Sequence, residues 1–393
     1  MNEWKTYTLK DLSKDKGEYG IGAPSIPFDK DKLTYLRITD INDDGTLNKS
    51  GLTSVDAMDA SKYLLEKNDI VFARTGNSTG RSYFYDGNEG PLVYAGFLIR
   101  FRLDDSKVNP RILKYYTHSK PYYDWVQSFD TGGTRGNINA KTYGDMPITL
   151  PPRHVQDRIV DILYSIDAKI ENNRRINDNL EQQAQALFNY YFVDNINELG
   201  DYHEGSLTDV ASYLNGLAMQ KFRPEGTDCG LPVLKIKELG QGFCDSSSDR
   251  CSSYIKDDYV INNGEIIFSW SGTLLVDFWC AGKCGLNQHL FKVTSDDYPK
   301  WFIYFWTKHH LDQFIRIAKD KAVTMGHIKR SELDNANVLI PSTEKLDQIG
   351  ATIAPMIDKL INNRVEMMEL SSLRDSLLPK LMSGELKINE IDC

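Results

Sequence analysis

Side chains that can donate or accept hydrogen bonds gather at two places in each half of this chain. The first set follows the strand-like segments 70–72 and 266–268, and comprises Arg74, Thr75, Asn77, Ser78, Arg81, Ser269, Trp270, Ser271 and Thr273. The second set surrounds a repeated Thr-x-Gly-x-Ile loop, and comprises Thr131, Thr134, Arg135, Asn137, Asn139, Lys321, Thr324, His327 and Lys329. Arginine and asparagine can pair with guanine and adenine edges, whereas serine, threonine and lysine mostly hold phosphates. Each residue alone could be an ordinary solvated loop residue, but the sets are candidate nucleic-acid contacts.

The glycine-rich segment 132–136 could approach a nucleic-acid backbone closely, with Arg135 as a charge-assisted donor, or it could be a plain turn. It lacks the Lys-Ser or Lys-Thr that ends a phosphate-cradling loop, and no Gly-x-Gly-x-x-Gly follows a strand. The pair Pro151-Pro152 lacks the flanking residues of an adenine methyltransferase motif. We therefore expect no catalytic residues and no cofactor bound by this chain.

The cysteines allow a second kind of chemistry. Four thiolates could hold a structural zinc ion, but no paired Cys-x-x-Cys is present, so buried free thiols are the alternative. The four cysteines concerned are Cys244, Cys251, Cys280 and Cys284. Adjacent residues do not share a helix face, which argues against His309 and His310 as a metal pair.

One long helical pattern occurs twice. Asn172-Asn173-Arg174 recurs as Asn362-Asn363-Arg364, an offset of 362 − 172 = 190, and the surrounding residues keep this offset without a gap. The Thr-x-Gly-x-Ile loops also differ by 190, whereas segments 70–72 and 266–268 differ by 196. The sequence thus predicts a tandem duplication of a globular module followed by a long helix.

Both helical patterns have the heptad spacing of a coiled coil. The first seam consists of Ile159, Leu163, Ile166, Ile170, Asn173, Asn177, Leu180, Ala184, Leu187 and Tyr191. The second consists of Ile349, Ile353, Met356, Leu360, Asn363, Met367, Leu370, Arg374, Leu377 and Leu381. Buried asparagines restrict which register the two helices can adopt. Because the helices come from two halves joined through an intervening globular module, we expect them to pair antiparallel about a pseudo-twofold axis. Because Pro355 stands where the first helix has Ser165, the second helix should kink or start late.

The fold class predicted is α+β, with two mixed, mainly β modules separated by two long helices. The predicted division is 1–152, first module; 153–200, central helix; 201–340, second module; 341–393, distal helix and tail. Segments 35–38, 69–73, 98–102, 233–236, 265–268 and 289–293 resemble strands. Aromatic-rich helical stretches follow near residues 112–116 and 301–306, where a buried core is favoured over a base-stacking platform.

Charge is uneven along the chain. The net charge of −9 would repel phosphates, but residues 151–204 carry 5 basic and 10 acidic groups and residues 341–393 carry 6 and 9. The acidic excess therefore lies on the helices, and the modules are close to neutral. No signal segment or apolar run of about 20 residues is present, so we expect a cytoplasmic protein without membrane contact.

Four segments resemble the specificity subunits of type I restriction-modification systems. The first is 133–138, followed by 148–152 and 156–160, which is similar to the end of a target recognition domain leading into a spacer helix. The segment 377–386 is similar to the closing segment of that family. The match departs from the family pattern at Ser342 and in 346–348.

This resemblance implies a non-catalytic reader of double-stranded DNA that holds two target recognition domains apart on a coiled-coil spacer. It also implies two methyltransferase subunits as partners, with restriction and translocase subunits joining through them. S-adenosylmethionine, ATP and Mg²⁺ would then bind the partner subunits. A coiled-coil scaffold whose modules bind peptide or RNA is the alternative.

Overall fold

A computed structural model describes residues 4–129, 136–320 and 327–386. The chain forms two compact units, one containing Met1–Asp167 and Ser372–Cys393 and the other Ala168–Ser371. Each unit thus combines a globular module with segments of both long helices. The predicted four-part division separates the modules from the helices, whereas these units combine them. The four-part division therefore stays a prediction.

The first module alternates short strands with a few short helices. Its strands are β1 (Lys5–Thr8), β2 (Glu18–Tyr19), β3 (Ser25–Ile26), β4 (Leu33–Leu36), β5 (Thr53–Val55), β6 (Asp69–Ala73), β7 (Ser82–Tyr85), β8 (Leu92–Tyr94), β9 (Leu98–Arg102) and β10 (Pro147–Leu150). Its helices are α1 (Pro110–Tyr116), α2 (Lys120–Gln127) and α3 (Ala140–Gly144). Helix α1 begins where the Asn109 side chain accepts a hydrogen bond from the Arg111 amide, and Pro110 supplies a favourable first residue.

Two four-stranded sheets form this module, in the orders β2-β9-β6-β7 and β3-β5-β4-β8. The first sheet is antiparallel, and the second contains the parallel pair β4 and β8. Strands β1 and β10 form a separate antiparallel pair. The central strand β6 is fully buried on both faces, which explains its continuous apolar sequence.

The second module repeats this arrangement. Its strands are β11 (Tyr202–Ser206), β12 (Ser212–Asn215), β13 (Leu231–Leu234), β14 (Arg250–Cys251), β15 (Val260–Ile261), β16 (Glu265–Ser269), β17 (Leu275–Trp279), β18 (Cys284–Leu286), β19 (Leu290–Thr294) and β20 (Asn337–Pro341). Its helices are α5 (Leu207–Val210), α6 (Ile236–Gln241), α7 (Lys300–His309), α8 (Leu311–Asp320) and α9 (Arg330–Asp334).

The sheet β12-β19-β16-β17 has the same order as its counterpart in the first module, and β11 pairs with β20 as β1 pairs with β10. The other sheet, β14-β13-β18-β15, again contains one parallel pair, β13 with β18. The duplication predicted from sequence is therefore present in the strand order. The aromatic residues of α1 and α7 are buried, so their assignment to the core is confirmed.

The long helices are α4 (Arg153–Asn189) and α10 (Thr343–Ser383). Their first residues are 190 positions apart, the offset of the sequence repeat. The late start expected from Pro355 is wrong, because α10 continues through that residue from Thr343; a kink there stays a prediction. Among the described residues, no helix combines the length and apolar character needed to cross a bilayer.

Helices α4 and α10 run antiparallel where they meet in the second unit. Asn173 Nδ2 donates to Glu366 Oε2 at 2.7 Å, and Asn363 Nδ2 donates to Asn177 Oδ1 at 2.9 Å. As the residue number rises along α4, the partner number on α10 falls. Asn173 and Asn363 are both almost completely buried, and each bonds a residue on the opposite helix, which specifies one register for the pair.

Candidate nucleic-acid interface

In the first module the two predicted sets of polar residues meet at Arg74. Its amide donates to the Phe97 carbonyl at 3.1 Å, which continues the β6–β9 ladder by one residue. Its guanidinium lies over the ring of Tyr19, 5.0 Å from the ring centroid, and its Nε donates to Asn137 Oδ1 at 3.4 Å. The carbonyl of Arg74 accepts from the Ile138 amide at 2.9 Å. The turn after β6 and the loop before α3 therefore form one surface.

Other candidates near this turn have different surroundings. Arg81 donates to Asp43 Oδ1 at 2.6 Å and to the Ile41 carbonyl at 3.1 Å, so its guanidinium is held by protein acceptors. Ser78 is buried, whereas Thr75 is half-buried and Asn77 is exposed. Of these side chains, Asn77 is the most accessible to a ligand.

In the second module the equivalent turn brings Trp270 to His327. Their ring centroids are 6.2 Å apart, and the Ile328 amide donates to the Trp270 carbonyl at 3.1 Å. The indole Nε1 donates to Asn215 Oδ1 at 3.1 Å, and the ring lies 6.0 Å from that of His289. The turn after β16 and the loop before α9 thus also form one surface.

The remaining candidates of the second turn divide by burial. Ser269 is fully buried, and its hydroxyl donates to the Ser271 and Thr273 carbonyls at 3.2 and 2.8 Å. Ser271 is also buried, whereas the side chain of Thr273 is exposed. The two serines therefore shape the turn, and Thr273 remains accessible.

The loops before α3 and α9 are described only in part. Asn139 is exposed and caps α3 by accepting from the Thr142 amide at 2.9 Å, and Lys329 is exposed at the start of α9. Five predicted contacts lie outside the described residues, namely Thr131, Thr134, Arg135, Lys321 and Thr324. Their assignment stays a prediction.

Sequence analysis missed four residues of these surfaces. Tyr19 and Phe97 are 42% and 59% exposed in the first module, and Asn215 and His289 border Trp270 in the second. Tyr19 and Asn215 both precede a glycine and differ by 196, the offset of the strands β6 and β16. That shared offset was the available signal, but the strand carrying Tyr19 has only two residues and no recognisable periodicity.

The predicted seam residues lie on the inner faces of α4 and α10. Twelve are buried: Ile159, Leu163, Ile166, Ile170, Asn173, Asn177, Ala184, Ile349, Ile353, Leu360, Asn363 and Leu381. Eight are partly buried: Leu180, Leu187, Tyr191, Met356, Met367, Leu370, Arg374 and Leu377. Several belong to the module cores, because Ile159 and Leu163 pack in the first and Ile349 and Leu360 in the second. Each helix is thus covered by a module as well as by the other helix.

A buried carboxylate on α4 links three elements of the first unit. Asp167 accepts from Lys114 at 2.7 Å, from the Tyr115 hydroxyl at 3.1 Å and from Arg374 of α10 at 3.3 Å. Burial alone would raise the pKa of Asp167, but Lys114 and Arg374 outweigh it and hold the pKa below its ordinary value. We call this group the Asp167 clamp. It lines a cavity of about 380 Å³ whose wall is mostly charged or aromatic.

The second unit has a clamp of the same composition. Glu181 of α4 accepts from Lys308 at 2.5 Å and from the Tyr304 hydroxyl at 3.5 Å, and pairs with Arg364 of α10 at 3.5 Å. Burial would raise the pKa of Glu181, but Lys308 and Arg364 lower it overall. In both units a carboxylate of α4 therefore joins a module helix to α10.

The four cysteines considered as zinc ligands are free thiols, three of them buried. Burial raises the pKa of Cys244 and of Cys280 to about 11. Within residues 4–129, 136–320 and 327–386, no three histidine, cysteine or acidic side chains are grouped as metal ligands would be.

The sequence matches the family model of the type I restriction modification DNA specificity domain over residues 1–182 and 200–370. The chain therefore belongs to the type I restriction-modification DNA specificity family. It is similar to the MjaIX specificity subunit of Methanocaldococcus jannaschii, with 26% identity over 71% of this chain and 69% of that protein. The HindI specificity subunit of Haemophilus influenzae is 20% identical over 98% of this chain and 100% of its own length.

The fold is similar to the crystal structure of a type I restriction-modification S subunit from M. genitalium. The TM-score is 0.62 with 16% sequence identity, over 97% of this chain and 96% of that one. The predicted family and fold class are thereby confirmed, and the function of the chain is DNA recognition within a type I restriction-modification system. The alternative of a peptide- or RNA-binding scaffold has no support in these similarities.

Proposed function

We propose that each module reads one half of a bipartite DNA site and that the paired helices set the number of base pairs between the halves. The observation that carries this proposal is the repetition of one strand order, with different side chains turned outward at the same place. Two readers with one backbone and different side chains suit two unequal half-sites. Because each module can cover only part of one DNA turn, we expect half-sites of about three to five base pairs and a spacer of roughly five to eight.

The lengths involved are compatible with this arrangement. Helix α4 has 37 residues, and at a rise of about 1.5 Å per residue its length is about 56 Å. Half-sites on the same side of B-DNA lie about 34 Å apart, one helical turn. A spacer helix of this length can bridge that separation and leave room for the width of a module.

Selection from a library of random DNA duplexes tests the proposal. The chain, assembled with its modification subunits, should enrich two short blocks of defined sequence separated by a fixed number of unspecified pairs. RNA duplexes of the enriched sequence serve as the control and should not compete. Enrichment of one continuous motif, or equal binding of all duplexes, would contradict a bipartite reader.

We further propose that the chain is a non-catalytic subunit that recruits two methyltransferase subunits, through which restriction and translocase subunits join. The acidic helices support this, because Asp161, Glu171 and Asp178 of α4 and Asp358 and Glu369 of α10 are exposed. Such carboxylates can attract a basic partner surface. S-adenosylmethionine, ATP and Mg²⁺ would bind those partners.

Native mass spectrometry of the assembled complex measures this composition directly. With the methyltransferase in excess we expect two copies for each specificity chain. The purified chain alone, incubated with S-adenosylmethionine and DNA, should transfer no methyl groups. A saturated complex with one copy, or methylation by the chain alone, would refute the respective part of the proposal.

A further inference from the structure

Equivalent backbone hydrogen bonds hold the two reading surfaces. Two of them join the turn after the central strand to its neighbours, Arg74 N to Phe97 O and Ile138 N to Arg74 O, at 3.1 and 2.9 Å, and the third joins the end of β2 to β9, Gly20 N to Leu98 O, at 3.2 Å. Their counterparts in the second module are Trp270 N to His289 O, Ile328 N to Trp270 O and Gly216 N to Leu290 O, at 3.4, 3.1 and 3.0 Å. We call this shared backbone arrangement the backbone frame.

Glycine is required at the same place in both frames. A Cβ atom added to Gly20 would lie 2.2 Å from the Tyr94 carbonyl oxygen, and one added to Gly216 would lie 2.2 Å from that of Asn287. No side chain fits at that distance, so each glycine lets its strand approach a neighbouring backbone closely. The residues just before these glycines, Tyr19 and Asn215, are thereby brought beside Arg74 and Trp270.

Interior residues of the frame are similar in the two modules. Phe72 and Phe268 are both fully buried at equivalent points of the central strands. An ion pair also recurs, because Asp69 lies 3.9 Å from Arg100 and Glu265 lies 2.7 Å from Lys292. Ile138 and Ile328 are both buried as well. The interior therefore kept its chemistry through the divergence of the two copies.

The four outward positions of the frame share no residue. The first module has Tyr19, Arg74, Phe97 and Asn137 where the second has Asn215, Trp270, His289 and His327. The residue at the second position is central in each module, since it contacts side chains from the other elements. Packing of the interior does not dictate the difference, because the backbone and the interior are alike. A difference in what the surfaces bind can explain it.

We propose that these four positions are the specificity-determining surface of each module and contact base edges of double-stranded DNA in the major groove. Resting on the proposed function, this assigns base recognition to Tyr19, Phe97, Asn215 and His289 in addition to the residues predicted from sequence. The Nη atoms of Arg74 donate to no described residue. They are therefore available for the paired hydrogen bonds that arginine forms with a guanine, here a guanine of the first half-site. The second frame has no lysine or arginine and reads through indole, imidazole and amide groups instead.

In the second module, two polar atoms at or beside the frame lack a hydrogen-bond partner in the described part of the chain, which is an independent indication that this surface binds a ligand. The Nδ1 atom of His289 and the amide oxygen of Gln288 are shielded from solvent and have no hydrogen-bond partner among the described residues. Polar atoms in that state are costly unless a ligand satisfies them. His289 lies at the third frame position, where a turn of its ring would expose Nδ1 to a base edge.

Two matched pairs of alanine variants test the proposal in the assembled complex. Phe97→Ala should change base preference several-fold at one position of the first half-site, through loss of an apolar contact with a thymine methyl group, and leave the second half-site unchanged. His289→Ala should change base preference at one position of the second half-site and leave the first half-site unchanged. Phe28→Ala and Tyr254→Ala remove exposed rings elsewhere in the same modules, 57% and 86% exposed, and should leave both halves unchanged.

Each variant carries its own folding control within the altered half-site, because loss of one base contact relaxes one position, whereas a misfolded module loses preference at every position of that half-site. Unchanged preference in both halves would overturn the proposal, and so would an equal loss at every position of the altered half-site, which marks a structural role. Failure of the proposed function is distinguishable from these outcomes, because the wild-type complex would then select no bipartite site at all.

Discussion

Two arginines of the first module flank the same turn but have different surroundings. Arg74 lies over Tyr19 and makes one long hydrogen bond to Asn137, whereas Arg81 is held by Asp43 and a backbone carbonyl. A guanidinium already paired with a carboxylate loses that partner if it turns toward DNA. At this scale, the acceptors that surround a side chain matter more than its residue type.

We expect Arg74→Ala to weaken DNA binding by about 1–3 kcal/mol and to relax preference at one position of the first half-site, because one paired contact with a guanine is lost. Binding titrations with duplexes that differ at single positions measure both effects. If Arg74 instead contacted a phosphate, the loss would be uniform across sequences and the salt slope would fall by about one.

Arg81→Ala is the matched control. It removes a guanidinium from the same turn, and we expect unchanged affinity and base preference, with a loss of at most about 1 kcal/mol in the free energy of unfolding. Equal effects of the two substitutions on the first half-site would show that the turn is not selective, and that the assignment of Arg74 is wrong.

Individual contacts were only partly predictable from sequence. The repeat offsets led to Arg74, Asn137, Trp270 and His327, which the structure brings together in pairs. They could not show that Ser269 is fully buried, since the burial of a small polar side chain depends on residues from other strands.

Among the elements, the two clamps show how the helices are joined to the modules. Arg374, the one charged residue in the predicted heptad stripe, pairs with Asp167 of α4 and does not interrupt an apolar contact. Both clamps have the carboxylate on α4 and the arginine on α10. If the two helices were related by an exact twofold axis, one clamp would have its carboxylate on α4 and the other would have it on α10. The two clamps therefore do not follow that symmetry.

We expect Asp167→Asn to lower the free energy of unfolding by about 1–3 kcal/mol at pH 7, because Lys114 and Arg374 lose their charged acceptor. The pKa of Asp167 is lowered on folding. Its contribution is therefore complete above the unfolded pKa, near 4, and is lost as the pH falls through the lower folded value. The difference between wild type and variant should be constant from about pH 7 to 5 and should shrink below about pH 4.

Urea titrations across that pH range measure the difference, with Asp161→Asn as the control on an exposed position of the same helix. The control should change stability by less than about 0.5 kcal/mol at every pH. A difference for Asp167→Asn that persists undiminished at pH 3 would mean that its carboxylate charge does not stabilise the clamp.

Long helices were the most predictable elements. The ungapped offset of 190 predicted that two such helices exist and how far apart they begin in the sequence. The heptad spacing predicted which residues of each helix face inward. Pro355 misled the prediction of where α10 begins, because a proline removes one hydrogen bond and the helix retains its packing against the second module. The pairing of the short strands into sheets was not predictable, since strands of two to five residues carry little periodicity.

For the whole molecule, the register of the paired helices leads to a prediction about spacer length. Deleting residues 169–175 and 365–371 together removes one heptad from each helix at facing positions and retains the bond between Asn177 and Asn363. The helices become about 10 Å shorter, the length of roughly three base pairs of DNA. We expect a changed spacer and unchanged half-site bases.

Selection from duplexes with spacers of every length between fixed half-sites measures this change. Deletion of 169–175 alone is the comparison, because it shifts one helix against the other and should destabilise the pair without defining a new spacer. An unchanged spacer in the double deletion, or altered half-site bases, would show that the helices do not set the separation.

The core of the first unit can be completed only late in protein synthesis, because it includes residues of α10. Leu378, Leu381 and Met382 fill the same core as Ile159 and Leu163, although they lie far along the chain. At about 5–20 residues per second, synthesis of the roughly 200 intervening residues takes about 10–40 s. During that time the start of α4 is made but the segment that covers it is not. The second unit needs residues only up to Ser371, so the module synthesised first is the one completed last.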